Sequence, residues 1–386
     1  MSKQKYWVWL AECSGLTAAN ARKLLEHFGT AEAVYEAKGN EYMEISGLRL
    51  KNVKGLLDKN LEKANEILST CAETGCKVIT QNDAEYPQRL KNIYDPPVVM
   101  YVRGKLPKID DMPVFGIVGT RVCTPYGITQ AQKAGRQLSE SGFVVVTGLA
   151  KGIDTAATMG ALKGGTPTVG VVGAGVDVVY PPANRQVYED VANFGAVVSE
   201  YPPGTEPDKT HFPMRNRIIS GLSVGIAVIE APMRSGALIT AARALEQGRD
   251  VFALPGNVDA NKCAGSNRLL REGAIPFLSP ENIIDEYIDL FEDKLTLPDL
   301  LSDKKTKGNV TKEEYVNIGK LFINLSGDER EVAESLKKEP LLTDEIIIAT
   351  GLPAQSVLTA LTMLELSGFT ERGISGKYNL VGPYVY

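Results

Sequence analysis

The chain has 386 residues, enough for two or three domains each with its own core, and its 44% hydrophobic and 23% charged residues are ordinary for a globular protein. A net charge of −5, from 42 Lys+Arg against 47 Asp+Glu, excludes a protein that coats nucleic acid with its whole surface but leaves room for a local basic groove. Five scattered cysteines without a C-x-x-C pair, no apolar run near ~20 residues and no signal-peptide core after Met1 give the expectation of a reduced, cytoplasmic protein without disulfides or zinc.

Residues 1–80 read as a small helical domain. The spacing from Ala18 to His27 brings Ala21, Leu24, Leu25 and Phe28 onto one face, and Leu56–Leu68 repeats the period. Two loops, Ser14-Gly-Leu-Thr17 and Ser46-Gly-Leu-Arg49, each carry a glycine at the bend before a helix. They loosely resemble a helix-hairpin-helix pair, although both lack that motif's second glycine. An ordinary helical bundle fits equally, and 11 basic against 10 acidic residues do not separate the two.

Residues 81–288 read as a Rossmann-like, doubly wound parallel sheet. Short apolar runs at Val114–Val118, Val144–Thr147, Thr168–Val172, Ala196–Ser199, Val224–Ile229 and Asp250–Ala253 alternate with helices such as Tyr126–Ser141 and Gly236–Gln247. Continuous β-branched strands with helical crossovers predict a sheet buried on both faces. Ile79–Gly104, rich in Tyr and Pro, bridges the first domain to this sheet, where it is placed to add strands at the edge. Residues 289–310, with Leu297-Pro-Asp299 and Ser302-Asp-Lys-Lys-Thr-Lys-Gly-Asn309, read as a linker. Residues 311–386 read as helix-turn-helix plus wing, built from Leu342–Pro353, a helix to Leu366, Gly368–Arg372 and Gly376–Leu380.

Ligands of such a sheet bind outside the carboxyl ends of the strands. Gly119-Thr-Arg121 follows the first apolar strand, with Thr120 as candidate helix N-cap and Arg121 directed into the crevice. Gly148-Leu-Ala-Lys151-Gly-Ile-Asp154 and Gly173-Ala-Gly-Val-Asp177 follow the next two; glycine there lets backbone amides approach a ligand, and the helix that follows adds its positive end. Dinucleotide binding is excluded because Val178 stands where the third glycine of G-x-G-x-x-G belongs, and the P-loop pattern is absent. Two histidines, His27 and His211, leave little scope for imidazole chemistry, and no cofactor, metal or catalytic residue is expected.

Lys209-Thr-His-Phe-Pro-Met-Arg-Asn-Arg217 interleaves Lys209, Arg215 and Arg217 with Phe212 and Asn216, and Pro213 suits a first helical turn. Cations that pair with phosphates beside a stacking aromatic fit a single nucleic-acid strand; the alternative is a solvated helix start with Phe212 in the core. Arg234, Ser235 and Gly236 precede another helix whose N-terminus is open to an anion, Glu230 is expected to order that loop, and Leu254–Asn257 with Gly265–Arg268 complete a ring of glycine turns.

Gly119-Thr-Arg121, Gly148–Asp154, Lys209–Ser220, Arg234-Ser-Gly-Ala237 and Leu254-Pro-Gly256 together resemble the DNA-processing protein A (DprA/Smf) family, over roughly residues 86–277. The flanks agree with its sterile-alpha-motif-like or helix-hairpin-helix domain and its winged helix. The resemblance implies a non-enzymatic protein that binds and protects incoming single-stranded DNA in natural transformation, helps load RecA recombinase onto it, and forms a homodimer through the α/β domain. It implies Arg121, Lys209, Phe212, Arg215 and Arg217 as DNA contacts, with Lys151 and Arg185 as looser ones. The second reading is a nucleoside-monophosphate-cleaving enzyme of the lysine-decarboxylase-like class, with Glu200 or Glu230 as its acid. The winged helix departs from a DNA reader: Pro353–Leu366 has no Lys or Arg, and residues 311–386 carry 7 basic against 11 acidic residues. That domain is expected to contact protein, with at most weak DNA contact through Arg372 and Lys377.

Overall fold

The computed structural model describes residues 3–296, 327–336, 340–366, 370–372 and 376–380. Residues 3–296 form one compact unit and the remainder a second. The chain opens with six helices: α1 (Gln4–Glu12), α2 (Ala18–Phe28), α3 (Ala31–Glu36), α4 (Gly39–Met43), α5 (Leu50–Leu57) and α6 (Glu62–Thr74). The periodicity over Leu56–Leu68 does not make one helix. Asp58 leaves the helical conformation after α5, and its carboxylate accepts from Asn60 N (3.1 Å) while the Asn60 side-chain oxygen accepts from Glu62 N (2.7 Å), so two short polar turns restart the chain as α6.

There follow β1 (Lys77–Thr80), α7 (Gln88–Lys91), β2 (Val99–Gly104), β3 (Val114–Val118), α8 (Pro125–Glu140), β4 (Val144–Thr147), α9 (Ile153–Gly164) and β5 (Thr168–Val172). The unit continues with α10 (Arg185–Phe194), β6 (Ala196–Ser199), α11 (His211–Leu222), β7 (Gly225–Val228), α12 (Gly236–Glu246), β8 (Asp250–Ala253), α13 (Ala264–Arg271), β9 (Ile275–Pro276) and α14 (Pro280–Tyr287). The nine strands run in the order β1-β2-β6-β5-β4-β3-β7-β8-β9. Those from β6 to β9 are mutually parallel, whereas β1 and β2 add antiparallel at one edge, so the sheet is mixed and not wholly parallel. No single helix among the described residues is long and apolar enough to cross a membrane.

Alternation along each strand sends side chains to two apolar layers. Phe115, Ile117 and Val145 pack under α8, α9 and α14, whereas Val114, Val118, Val144 and Val146 pack under α7, α11 and α12. The amino-terminal helices share their core with the sheet, through Trp7, Leu10 and Tyr42 on one side and Tyr101, Tyr188 and Val197 on the other. The boundary expected at 80/81 therefore falls at the end of a sheet strand. Beyond the boundary expected at 288/289, Leu295 is buried in the same core as Phe143, and Thr296 N donates to Ser141 O (3.0 Å). Residues 297–326, which include most of the expected linker, lie outside the described residues.

In the second unit α15 (Gly327–Ser335), α16 (Thr343–Thr350) and α17 (Ala354–Leu366) precede the hairpin β10 (Thr370–Arg372) and β11 (Tyr378–Leu380). Gly351, at φ 68°, ends α16 in the left-handed conformation and turns the chain into α17, as a helix-turn-helix requires. Lys377 lies 3.8 Å from Glu345, and the Arg372 side chain lies outside the described residues.

The α8–α9 crossing is the tightest in the sheet layer. A Cβ on Gly160 would come within 2.2 Å of Gln132 O, and one on Gly135 within 2.0 Å of Ala157 O, so the two backbones meet directly. Gly160→Ala is expected to force the helices apart and cost about 1–3 kcal/mol, read as a lower midpoint in urea unfolding at an unchanged slope.

Candidate nucleic-acid interface

Strand order reverses between β3 and β7, and the loops that leave their carboxyl ends diverge around a cleft of about 470 Å³. Gly119, Thr120 and Arg121 form the wall after β3, and Arg234, Ser235 and Gly236 the wall after β7. Thr120 N donates to Glu230 O (2.7 Å), which joins the two walls. Thr120 does not cap a helix. The cap is Thr124, whose hydroxyl accepts from Gly127 N (3.1 Å); the buried Glu230 carboxylate in turn accepts from Thr124 N (2.9 Å) and Thr124 Oγ1 (2.5 Å). Glu230 thus orders the loop.

The third wall is the start of α11. Lys209 precedes the helix, Phe212 sits half-buried in its first turn, and Asn216 Nδ2 donates to Gly236 O (3.2 Å), holding α11 against α12. Ser235 caps α12 through Ala237 N (3.2 Å), so two helix N-termini open on the same cleft. The Arg121 guanidinium lies over the Phe212 ring, 5.0 Å from its centroid, and Tyr180 packs beside that ring at 5.6 Å with a tilt of 31°. Arg121, Lys209 and Arg234 are solvent-exposed cations around this aromatic pair.

Arg215 is different in kind. It is buried under the cleft, donates to Gly148 O (2.8 Å) and to Val171 O, and faces Asp154. A Cβ on Gly148 would stand 2.5 Å from that guanidinium, so only glycine lets it pass. Asp154 is buried as well and accepts N–H groups from Gly148 (3.0 Å), Ala150 and Gly119. Burial pushes its carboxyl up to about 6, against the opposing pull of Arg215 and those N–H groups.

Three of the expected residues are not in the cleft. Arg217 points away from it, buried, where its Nε donates to Asp95 O (2.9 Å) and its NH2 to Glu200 (2.5 Å). Lys151, on the turn before α9, and Arg185, the first residue of α10, are exposed and do not line the cleft. Nor do the later glycine turns, which close on each other as Asn267 brackets Gly256 with two 3.0 Å hydrogen bonds. Among the lining residues without a role in the sequence reading are Asp154 and Tyr180. Asp154 was visible as the acid ending the Gly-Ile-Asp turn, and Tyr180 as an aromatic before Pro181-Pro182. With Glu200 on Arg217 and Glu230 on Thr124, neither candidate catalytic acid is free to face the cleft.

The sequence model of the DNA recombination-mediator protein A family matches residues 77–288, and that of the DprA winged helix domain matches residues 323–373. The chain belongs to the DNA recombination-mediator protein A family. Curated relatives of this DprA/Smf family include Protein Smf of Synechocystis, 32% identical over 98% of both chains. DNA processing protein DprA of Streptococcus pneumoniae is 39% identical over 74% of this chain and 99% of its own length. A solved structure of the pneumococcal DprA superposes with a TM-score of 0.65 at 38% identity, covering 73% of this chain and 97% of that one. DprA of Helicobacter pylori, whose structure is described for its unique single-stranded DNA binding mode, superposes with a TM-score of 0.50 at 30% identity over 56% of this chain and 97% of its own.

The elevated Asp154 carboxyl sets the sign of a pH effect. Between its ordinary value of 3.8 and about 6 the folded chain holds a proton that the unfolded chain has released. Stability from this group is therefore complete at low pH and falls as pH rises through about 6. Asp154→Asn is expected to flatten the fall in unfolding free energy between about pH 4 and 6, measured by urea titrations across that window.

Proposed function

We propose that the cleft grips single-stranded DNA. The observation that carries this reading is the exposed Arg121 guanidinium stacked on Phe212, beside Tyr180 and flanked by Lys209 and Arg234. Exposed cations meet successive phosphates, and the aromatic and guanidinium faces take bases of any sequence. The helix N-termini of α11 and α12 supply N–H groups to the same anion path. The H. pylori relative, with its described single-strand binding mode, supports the choice of a strand over a free nucleotide.

In this reading Arg121, Lys209, Phe212, Arg234, Ser235 and Gly236 touch the strand, with Gly119 and Thr120 offering backbone. Arg215 and Asn216 act through their neighbours by holding the cleft open, and Arg217 is a structural cation. Lys151 and Arg185 reach a strand only where it leaves the cleft. The protein is a binder without catalysis, works in the cytoplasm, protects incoming DNA in natural transformation and hands it to RecA recombinase, consistent with the recombination-mediator description of its family. It acts as a homodimer through the α/β unit; light scattering is expected to return twice the mass of the chain.

Arg121→Ala is expected to weaken oligo-dT binding about tenfold and to reduce the slope of log affinity against log salt by about 0.7, one phosphate's share for a single strand. Phe212→Ala is expected to cost ~1–3 kcal/mol for a lost stacked base, with little change in the salt slope. Fluorescence anisotropy over a salt series checks both, with Arg136→Ala, an exposed cation of α8 that does not line the cleft, as the control. Undiminished binding by Arg121→Ala together with Phe212→Ala would sink the assignment.

A further inference from the structure

A second polar recess lies at the opposite end of the strands, where the parallel strands begin. Arg89, on α7, donates to Leu222 O (3.2 Å) and Met112 O (3.5 Å), just upstream of β7 and β3, and Arg249 immediately precedes β8. These residues help enclose a cavity of about 620 Å³, within the usual range for small-molecule sites. Arg243 and Gln247 close it from the end of α12, and Tyr94, 75% exposed, stands at its mouth.

The charges there are unbalanced. Among the described residues no carboxylate forms an ion pair with Arg89 or Arg249. Asp110, the acid that acts on Arg89, accepts the backbone N–H groups of Gln88 (2.7 Å) and Arg89 (3.0 Å). Asp95 faces Arg217, and Glu246 pairs with Arg243 at the rim. Burial, and after it the charge of Arg249, lower the proton affinity of Arg89, whose backbone carbonyl accepts from Arg249 NH2 (3.3 Å). Two polar atoms of the lining are also buried without a hydrogen bond among the described residues. One is a donor, Arg249 Nε, and the other an acceptor, Gln247 Oε1. With no carboxylate on its arginines, the recess offers them to an anionic oxygen, and Gln247 beside them carries an amide oxygen open to a hydroxyl or amino donor once its side chain turns to a ligand.

We propose that this recess binds a nucleoside phosphate, its phosphate on Arg249 and Arg89, its sugar or base donor on Gln247, and its base against Tyr94. The site is separate from the cleft, at the other end of the strands, and stands whether or not the cleft binds DNA. The phosphate belongs either to a free nucleotide or to a single strand.

Calorimetric titration of the full chain carrying Arg121→Ala with dTMP tests this, because the cleft is then weakened. One dTMP per chain is expected, and Arg249→Gln should weaken it at least about tenfold, the loss of a charged hydrogen bond. Gln247→Leu should weaken dTMP several-fold more than it weakens inorganic phosphate. Should Arg249→Gln melt without a cooperative transition, Arg243→Ala on the exposed rim replaces it, again with weaker dTMP binding expected. A parallel loss of dT20 affinity in the Arg249 variant identifies a strand as the source, and unchanged dT20 affinity identifies a free nucleotide; both support the site. Absence of dTMP binding up to millimolar concentration, dTMP affinity indifferent to both arginine variants, or equal displacement of dTMP by oligoglutamate would overturn it.

Discussion

The cleft depends on one buried guanidinium. Arg215 leaves the first turns of α11, crosses beneath the strand ends, and donates to carbonyls at the end of β4 and in β5 while facing Asp154 at the start of α9. A buried charge is tolerated only when its partners are in place, because desolvating it costs several kcal/mol. Here the partners are two carbonyls and a carboxylate whose position is itself fixed by the N–H groups of Gly148, Ala150 and Gly119. One side chain therefore sets the height of α11 over the sheet, and with it where Phe212 and Lys209 stand. The cations that remain exposed, Arg121, Lys209 and Arg234, are held on a floor that is already electrically closed.

The strands were legible because each is a short apolar run buried on both faces, and hydrophobicity alone marks such a run. β9 escaped because two residues, one of them proline, carry no pattern. The glycine turns were legible too, since close backbone approach demands glycine. What sequence could not distinguish was which cations are free. Arg215 and Arg217 look like neighbours in the string, yet two residues along a helix turn the side chain by about 200°. One consequently reaches the strand ends, and the other reaches Asp95, 122 residues earlier, on the far side of α11. Partners at that separation leave no local trace. The same holds for Thr120 and Thr124: both precede a helix, and only the buried Glu230 carboxylate decides which hydroxyl becomes its cap.

The winged unit shows the converse case, where composition does constrain chemistry. Its α17 carries no cation to reach a phosphate, and Lys377 sits within 3.8 Å of Glu345. Its exposed side chains include Ile348, Leu358 and Met363, at 83%, 52% and 46% exposure. A duplex backbone approaching α16 and α17 would desolvate apolar groups and meet acidic neighbours, both unfavourable. A helix-turn-helix scaffold gives a groove-reading shape, but its two helices Thr343–Thr350 and Ala354–Leu366 carry no Lys or Arg to hold the backbone in register.

A chain of net charge −5 can still hold an anion because topology, more than composition, concentrates its positive potential. At the point where strand order reverses, the crossovers from β3 and β4 run over one face of the sheet, and α11 and α12 run over the other. The loops must separate there, and α11 and α12, of 12 and 11 residues, both begin at the opening. Their aligned peptide dipoles each leave roughly half a positive charge at the amino-terminal end, and these add over a single crevice. Exposed arginines and lysines need only extend that field outward. Acidic residues spread over the rest of the surface are screened beyond about 8–10 Å at physiological salt, so they repel a polyanion elsewhere without cancelling the field inside the cleft. On the reading proposed above, the negative balance adds specificity, because it leaves the attraction for a polyanion to local groups of cations.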